Sequence, residues 1–266
     1  FRFPSQGGTG ALWEAVAERT GRERIRCGAK VVSVSTSSKA VRMSSGEWIA
    51  FANLLSTMPL DILVGMAEGI ADGPRGAALG LRYSSMHVIG LGMDGGRPDF
   101  LAGKCWIYFP EPRYPFYHLT HFSHYSPANV PDPGRHWSLM AEVAESPNRP
   151  VDGGSVVALT EKALRSSGFI GAEARVVSRW HFRVEHGYPV PSLGRDEVLL
   201  ELNGALERAG IYSRGRFGGW KYEVGNMDHS FMQGVEWADR VTRGTPEVTW
   251  RDPVKANAGG TYTEPA

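Results

Sequence analysis

Between Gly215 and Ser230 the chain gathers residue types able to hold an anion: Arg216, Lys221, Tyr222 and Asn226, set in a loop punctuated by Gly215, Gly218, Gly219 and Gly225. Arginine offers forked, charged donors and tyrosine adds a donor without charge, which together suit a diphosphate. Tyr188, in His186-Gly187-Tyr188-Pro189, supplies a further hydroxyl. The loop empties into a helix whose apolar positions Phe231, Met232, Val235 and Ala238 fall on one face. Asp228 or Asn226 can cap that helix, and the N–H groups of its first turn carry a partial positive charge that suits a phosphate or an anionic ring. A glycine turn ahead of an ordinary C-terminal helix has the same pattern.

Other chemistries find less support. There is no Ser-His-Asp pattern, no GxSxG, no HExxH and no Walker glycine loop. His118, His121 and His124 recur at three-residue intervals, but on a strand His121 points away from the other two, so no metal site is assigned. Gly7-Gly8-Thr9-Gly10 lacks the third glycine and the preceding strand of a dinucleotide fingerprint.

The elements that must position the loop can be read in order. A helix with Leu12, Trp13, Val16 and Ala17 on one face ends near Thr20-Gly21. A small antiparallel meander follows at 30–36, 41–43 and 48–51, then a strand at 54–58 stopped by Pro59 and a helix starting near Asp61. The segments 82–93, 104–109, 116–122 and 137–143 are β-branched and aromatic with short connections, which predicts an antiparallel sheet. Its many aromatic residues either pack a thick core or line a pocket that stacks a planar ligand. A helix over 155–167, a strand over 174–184 and a helix over 196–209 lead to the loop, and the tail beyond Asp252 has no periodicity and is expected to be poorly ordered.

The 266 residues, 42% of them hydrophobic, can build a sizeable core, and the balance reads as a soluble globular protein. With Lys+Arg 29 against Asp+Glu 28, no bulk electrostatic argument favours nucleic acid or an anionic membrane. No apolar run is long enough to span a bilayer. Cys27 and Cys105 lack metal-ligand spacing and read as free, buried thiols of a reducing cytoplasm, though a pairing between them stays open. The opening at Phe1 reads as the middle of a domain, which leads us to expect a fragment or one piece of a larger assembly.

Six blocks in one order carry a resemblance: FRFPSQGGTGALW at the start, LSTMPLD at 55–61, CWIYFPE at 105–111, PFYHLTHFSHYSP at 115–127, HGYPVPSLGRD at 186–196 and GRFGGWKYEVGNMDHSFMQGVE at 215–236. Together they resemble the UDP-galactopyranose mutases of the eukaryotic type, within the amine-oxidase-like FAD flavoproteins. The resemblance implies an α/β fold plus antiparallel sheet: a partial FAD-binding domain of the glutathione-reductase-like kind with a central antiparallel substrate-binding sheet. It divides the chain into 1–58 (part of the FAD domain), 59–80 (helical), 81–190 (substrate sheet with a helix), 191–252 (C-terminal part of the FAD domain) and a tail at 253–266.

The implied activity is a flavin-dependent nucleotide-sugar mutase, in which reduced flavin attacks the anomeric carbon, UDP leaves and the sugar ring recloses as the furanose. Arg216, Tyr222 and Asn226 would sit at the sugar and flavin. Tyr125, Tyr188 and Tyr222 would serve the diphosphate, Trp106 and Tyr108 would line the nucleotide pocket, and Gly225, Asn226, Met227 and Ser230 would lie against the flavin. The implied setting is cytoplasmic, with a nucleotide-sugar substrate and neither nucleic acid nor membrane as partner.

The sequence departs from the family in three ways. The N-terminal GxGxxG unit and the glycine-histidine loop near the flavin are absent, so this chain is not expected to retain FAD alone and would need an N-terminal FAD-binding half or a companion chain. His118 stands where the family places a diphosphate-binding arginine, and Met227 replaces a glutamine. These departures keep two alternatives in view: a flavin-linked oxidoreductase acting on a sugar or amine, and a non-catalytic nucleotide-binding remnant.

Overall fold

The computed structural model describes residues 2–258. In chain order the elements are α1 (Gly10–Thr20), β1 (Val31–Ser35), β2 (Ala40–Met43), β3 (Trp48–Ala50), β4 (Leu54–Ser56), α2 (Leu60–Met66), β5 (Ala67–Glu68), α3 (Asp72–Ala78) and β6 (Tyr83–Asp94). They continue with β7 (Trp106–Tyr108), β8 (His118–His121), β9 (His136–Glu145), α4 (Val156–Ser166), β10 (Arg175–Pro189), α5 (Arg195–Arg208), β11 (Ile211–Ser213), α6 (Met227–Arg243) and α7 (Pro253–Asn257). Mixed and antiparallel sheets with helices are the architecture, as the alternation of the sequence predicts. The chain divides into two compact units, one of residues 1–27 and 85–185, the other of 28–84 and 186–266.

The first unit is built on an antiparallel sheet of order β10-β6-β9-β8-β7. Strict alternation in β6 and β9 sends Ile89, Leu91, Met93, Leu139, Ala141 and Val143 into the core. The pairing runs continuously from Ser85↔Glu145 to Asp94↔His136. Helix α4 adds Val156 and Leu164, and Phe109, Tyr114 and Phe116 interlock edge-to-face or tilted beside them. Much of the aromatic density is therefore core. Helix α1 forms where its periodicity predicts, but it buries no residue, and Leu12, Trp13 and Val16 are exposed.

In the second unit the predicted meander is the antiparallel set β1-β2-β3, extended by the parallel strand β5. β4 pairs in parallel with β11, a three-residue strand too short to carry a period of its own. The core takes Leu60, Leu63 and Val64 from α2 and Leu199, Leu202 and Leu206 from α5, and both sets have helical spacing. Three expectations need correction. Phe231 on α6 is exposed, while the buried residues of that helix are Gln233 and Glu236. The tail through 258 is ordered into α7, because Pro253 presets the first turn and Asp252 accepts a hydrogen bond from the Lys255 N–H (3.0 Å). The remainder of that tail lies outside the described residues. Both cysteines are free, but Cys27 is exposed and Cys105 half-buried.

Candidate functional site

The glycine loop starts at the end of β11 and closes on itself before α6. Gly215 has φ +87° and its carbonyl accepts from the Gly219 N–H at 2.7 Å. A Cβ at Gly218 would stand 2.1 Å from the Arg214 carbonyl oxygen, and one at Gly219 2.8 Å from Trp250. Only glycine lets the backbone pass there. Trp220 holds a left-handed φ of +53° while fully buried, a strain of roughly 1–3 kcal/mol that its packing against Phe217, Tyr83 and His186 must offset.

This fold of the loop gathers Arg216, Tyr188, Tyr222 and Gly225. Arg216 Nε donates to the Gly225 carbonyl at 2.7 Å, and its guanidinium lies 4.9 Å over the Tyr188 ring. Tyr188 and Tyr222 have ring centroids 5.8 Å apart, and Tyr222 is exposed. Asn226 occupies the position before α6 but makes no side-chain cap, and Asp228 does not cap either. The first turn of α6 is therefore left uncapped, with Asn226 and Met227 exposed and Ser230 half-buried beside it.

Lys221 leaves the constellation expected of it. Its ammonium sits 5.0 Å over Trp250, and burial pushes its pKa down. The neighbouring Glu223 is gripped by Arg195 in a bidentate pair (2.6 and 3.0 Å); burial raises its pKa, but the hydrogen bonds and charge of Arg195 bring it below the ordinary value.

Beneath the loop lies a charged network that sequence reasoning missed. Arg214 is 1% exposed and bonds Glu247 through two nitrogens (2.6 and 2.7 Å), Glu207 (2.8 Å) and Asn203 (3.2 Å). Arg240 bridges the same two glutamates at 2.8 Å each. The signal was present as a second arginine one residue before Gly215, although nothing in its spacing marked it as buried.

In the first unit the other predicted residues also meet. β7 pairs with β8 so that Tyr108 faces His118 and Trp106 faces Thr120. Tyr108 stacks on His118 at 4.7 Å and 17°, Trp106 meets His118 edge-on, and the Trp106 indole N–H donates to the Tyr125 hydroxyl. Burial raises the Tyr125 pKa, which keeps that hydroxyl neutral. His118 Nδ1 lies 3.4 Å from Glu142 Oε1, and the Tyr117 hydroxyl donates to Glu142 Oε2 at 2.5 Å. Trp106 and Tyr108 are half or more exposed, forming an aromatic shelf.

The three spaced histidines do not converge: His121 stacks on His124, whereas His118 turns to Glu142. Among the described residues no group of three His, Cys, Asp or Glu side chains could hold a metal. The sheet face that carries Val88, Gly90 and Met140 also bounds a cavity of about 580 Å³, with Phe122, Trp137 and Trp180 in its walls. No helix among the described residues is long and apolar enough to cross a membrane.

No protein-family model matches the chain. Among solved structures it is similar to a reduced UDP-galactopyranose mutase, at 41% identity and a TM-score of 0.92, over 96% of this chain and 55% of that one. The resemblance carried by the six sequence blocks is thereby borne out, and the chain spans about half the length of that relative. Two more distant likenesses support the fold alone. One is to a fatty acid isomerase from P. acnes that produces CLA (12% identity, TM-score 0.64, 88% of this chain and 52% of that one). The other is to a structure assigned as a protoporphyrinogen oxidase from Exiguobacterium sp. 255-15 (17%, 0.60, 77% and 45%).

Proposed function

We propose, taking as premise that this chain is built like UDP-galactopyranose mutase over nearly its whole length, that it is the sugar- and diphosphate-binding portion of a nucleotide-sugar mutase, an isomerase that works with reduced FAD. On this reading residues 1–58 and 191–252 contribute to a glutathione-reductase-like FAD domain and 81–190 carry the substrate sheet. The rest of the flavin site comes from an N-terminal half, in the same polypeptide or a companion chain. The unpaired Cys27 and Cys105 support a reducing, cytoplasmic setting.

One observation carries the reading: Arg216, Tyr188 and Tyr222 are gathered against Gly225 at the uncapped start of α6. Arg216 supplies the fixed positive charge for a diphosphate, with Tyr188 and Tyr222 as uncharged donors beside it. Trp106 and Tyr108 offer a surface on which a nucleobase stacks. The residues present fit an anionic ring: the free N–H groups of the first turn of α6 point their partial positive charge outward, and Asn226, Met227 and Ser230 border them. Gly225 keeps the backbone low there, since a Cβ would stand 3.3 Å from Arg216 Cγ. Bound here, reduced FAD would supply nucleophilic chemistry at the anomeric carbon. The chain's own residues hold the leaving diphosphate and orient the sugar, and a neutral Tyr125 keeps its proton to donate.

The test is the complete protein with FAD and UDP-galactopyranose. Pyranose–furanose interconversion with dithionite-reduced but not oxidised flavin is expected. Failure with every nucleotide sugar tried overturns the proposal, and substrate-driven bleaching of oxidised flavin with oxygen uptake would assign an oxidoreductase instead.

A further inference from the structure

Helix α6 buries an amide on a face outside its apolar stripe. Gln233 is 1% exposed. Its Oε1 accepts the Gly215 N–H at 2.8 Å and its Nε2 donates to the Val224 carbonyl at 2.9 Å. The reversed amide would set donor against donor and acceptor against acceptor, so the pairing fixes its orientation. Gly215 immediately precedes Arg216, and Val224 immediately precedes Gly225, the residue whose carbonyl takes Arg216 Nε. One planar group thus ties together both ends of the loop that carries Arg216 and Tyr222, in a place where neither backbone group can reach water. Gly219 allows this approach, because a Cβ there would stand 3.1 Å from Gln233 Oε1.

We infer that Gln233 is a positioning residue: through the two ends of the loop it holds Arg216 and Tyr222 in the geometry that receives the diphosphate. The inference rests on the proposed function. Glu236, one turn along the same helix, is the built-in contrast. It is also buried, but its carboxylate accepts from the N–H groups of Val248 (3.0 Å) and Thr249 (2.8 Å), not from the loop's own backbone. Removing either residue orphans buried backbone groups and destabilises the fold. Of the two, Gln233 alone bonds the backbone on either side of Arg216 and Tyr222, so its loss is the one expected to reach the diphosphate.

The experiment measures, on the complete protein, the affinity for UDP and for uridine by calorimetry together with thermal unfolding. It compares wild type with Gln233→Leu, Gln233→Glu and Glu236→Gln. Gln233→Leu is expected to weaken UDP by roughly tenfold while leaving uridine unchanged. Glu236→Gln should lower the melting temperature without moving the ratio of UDP to uridine affinity. In Gln233→Glu a carboxylate faces the Val224 carbonyl at neutral pH, whereas the protonated acid can donate again. UDP affinity relative to wild type should therefore recover as the pH is lowered, and Gln233→Leu should show no such recovery. If Gln233→Leu does not fold, this recovery of UDP affinity with falling pH in Gln233→Glu decides the matter. Folded Gln233 variants that bind UDP within twofold of wild type overturn the inference and leave the proposed function standing. A wild-type protein that binds uridine nucleotides not at all overturns both.

Discussion

The two units hold their candidate residues by different means. In the second, Arg216 and its tyrosines stand on a loop pinned from below by Gln233 and by the buried Arg214, Glu207, Glu247 and Arg240 network. In the first, Trp106 and Tyr108, half or more exposed on the edge strand of a sheet, lean on the largely covered His118 chiefly through ring contacts. Charge-bearing groups proposed to receive a diphosphate need a fixed direction, and directional bonds supply it. A stacking shelf needs only a surface, which a strand pair with short-range ring contacts provides. The comparison implies that damage in the second unit falls first on stability and geometry, and damage in the first on ligand affinity.

The largest effect should follow Arg214→Met. It leaves Glu247, 1% exposed, and Glu207 without their shared guanidinium, and removing one partner of a buried ion pair costs about 3–5 kcal/mol. Urea unfolding checks this, and a loss under about 1 kcal/mol would show that the network does not brace the loop. Next is Gly218→Ala. Its Cβ would stand 2.1 Å from the Arg214 carbonyl oxygen, a backbone atom that cannot swing away, so overpacking should cost roughly 1–3 kcal/mol. Gly234→Ala is the matched control inside α6, where nothing lies within 4 Å of an added Cβ, and it should stabilise by about 0.5–1 kcal/mol.

How far the sequence revealed this depended on whether the signal was local. Alternation exposed β6 and β9, and the leucine spacing exposed α5, because each buries one face along its own length. Arg216, Tyr222 and the aromatic shelf were legible as residue types that bind anions and bases. What escaped has its reason elsewhere in the chain. Strand β11 exists through its parallel pairing with β4, and Arg214 is buried because glutamates at 207 and 247 meet it. Phe231 reads as core on periodicity, yet the loop needs a donor and an acceptor on the inner face of α6, so Gln233 occupies it. The resemblance to a known family pointed to Tyr125, whose partner Trp106 lies on another element.

A smaller effect on binding is expected from Tyr108→Ala. Tyr108 is 66% exposed, so the fold should lose little, but the shelf loses its outer ring. Base–aromatic stacking of ~1–3 kcal/mol implies weaker binding of UDP and uridine alike, by about tenfold, in calorimetry on the complete protein. Loss of UDP affinity with uridine unchanged would mean that the shelf serves the phosphates and would blur the contrast with Arg216.

The gentlest perturbation is pH, and it separates the units by the sign and position of their titrations. In the first unit, burial lowers the pKa of His121, and burial together with His87 lowers that of His181, both from an ordinary value of 6.5. The unfolded chain therefore binds protons that the fold excludes. Stability from this source is intact above about 6.5 and falls as the pH drops toward the depressed values. In the second unit, burial alone would raise Glu207 and Glu247, but Arg214 and Arg240 outweigh it and bring both below their ordinary 4.5. Their contribution is present above that value and is lost only as the pH falls through the lowered ones. The carboxylates of Asp94 and Glu145 in the first unit are lowered too, so their loss also comes late and does not change the order. Hydrogen exchange read peptide by peptide should then show segments of 85–185 losing protection first as the pH falls below about 6.5, while those of 28–84 and 186–258 hold until below 4.5. The reverse order would place the acid-sensitive brace under the loop and undo the distinction between a site held by buried charge and one held by stacked rings.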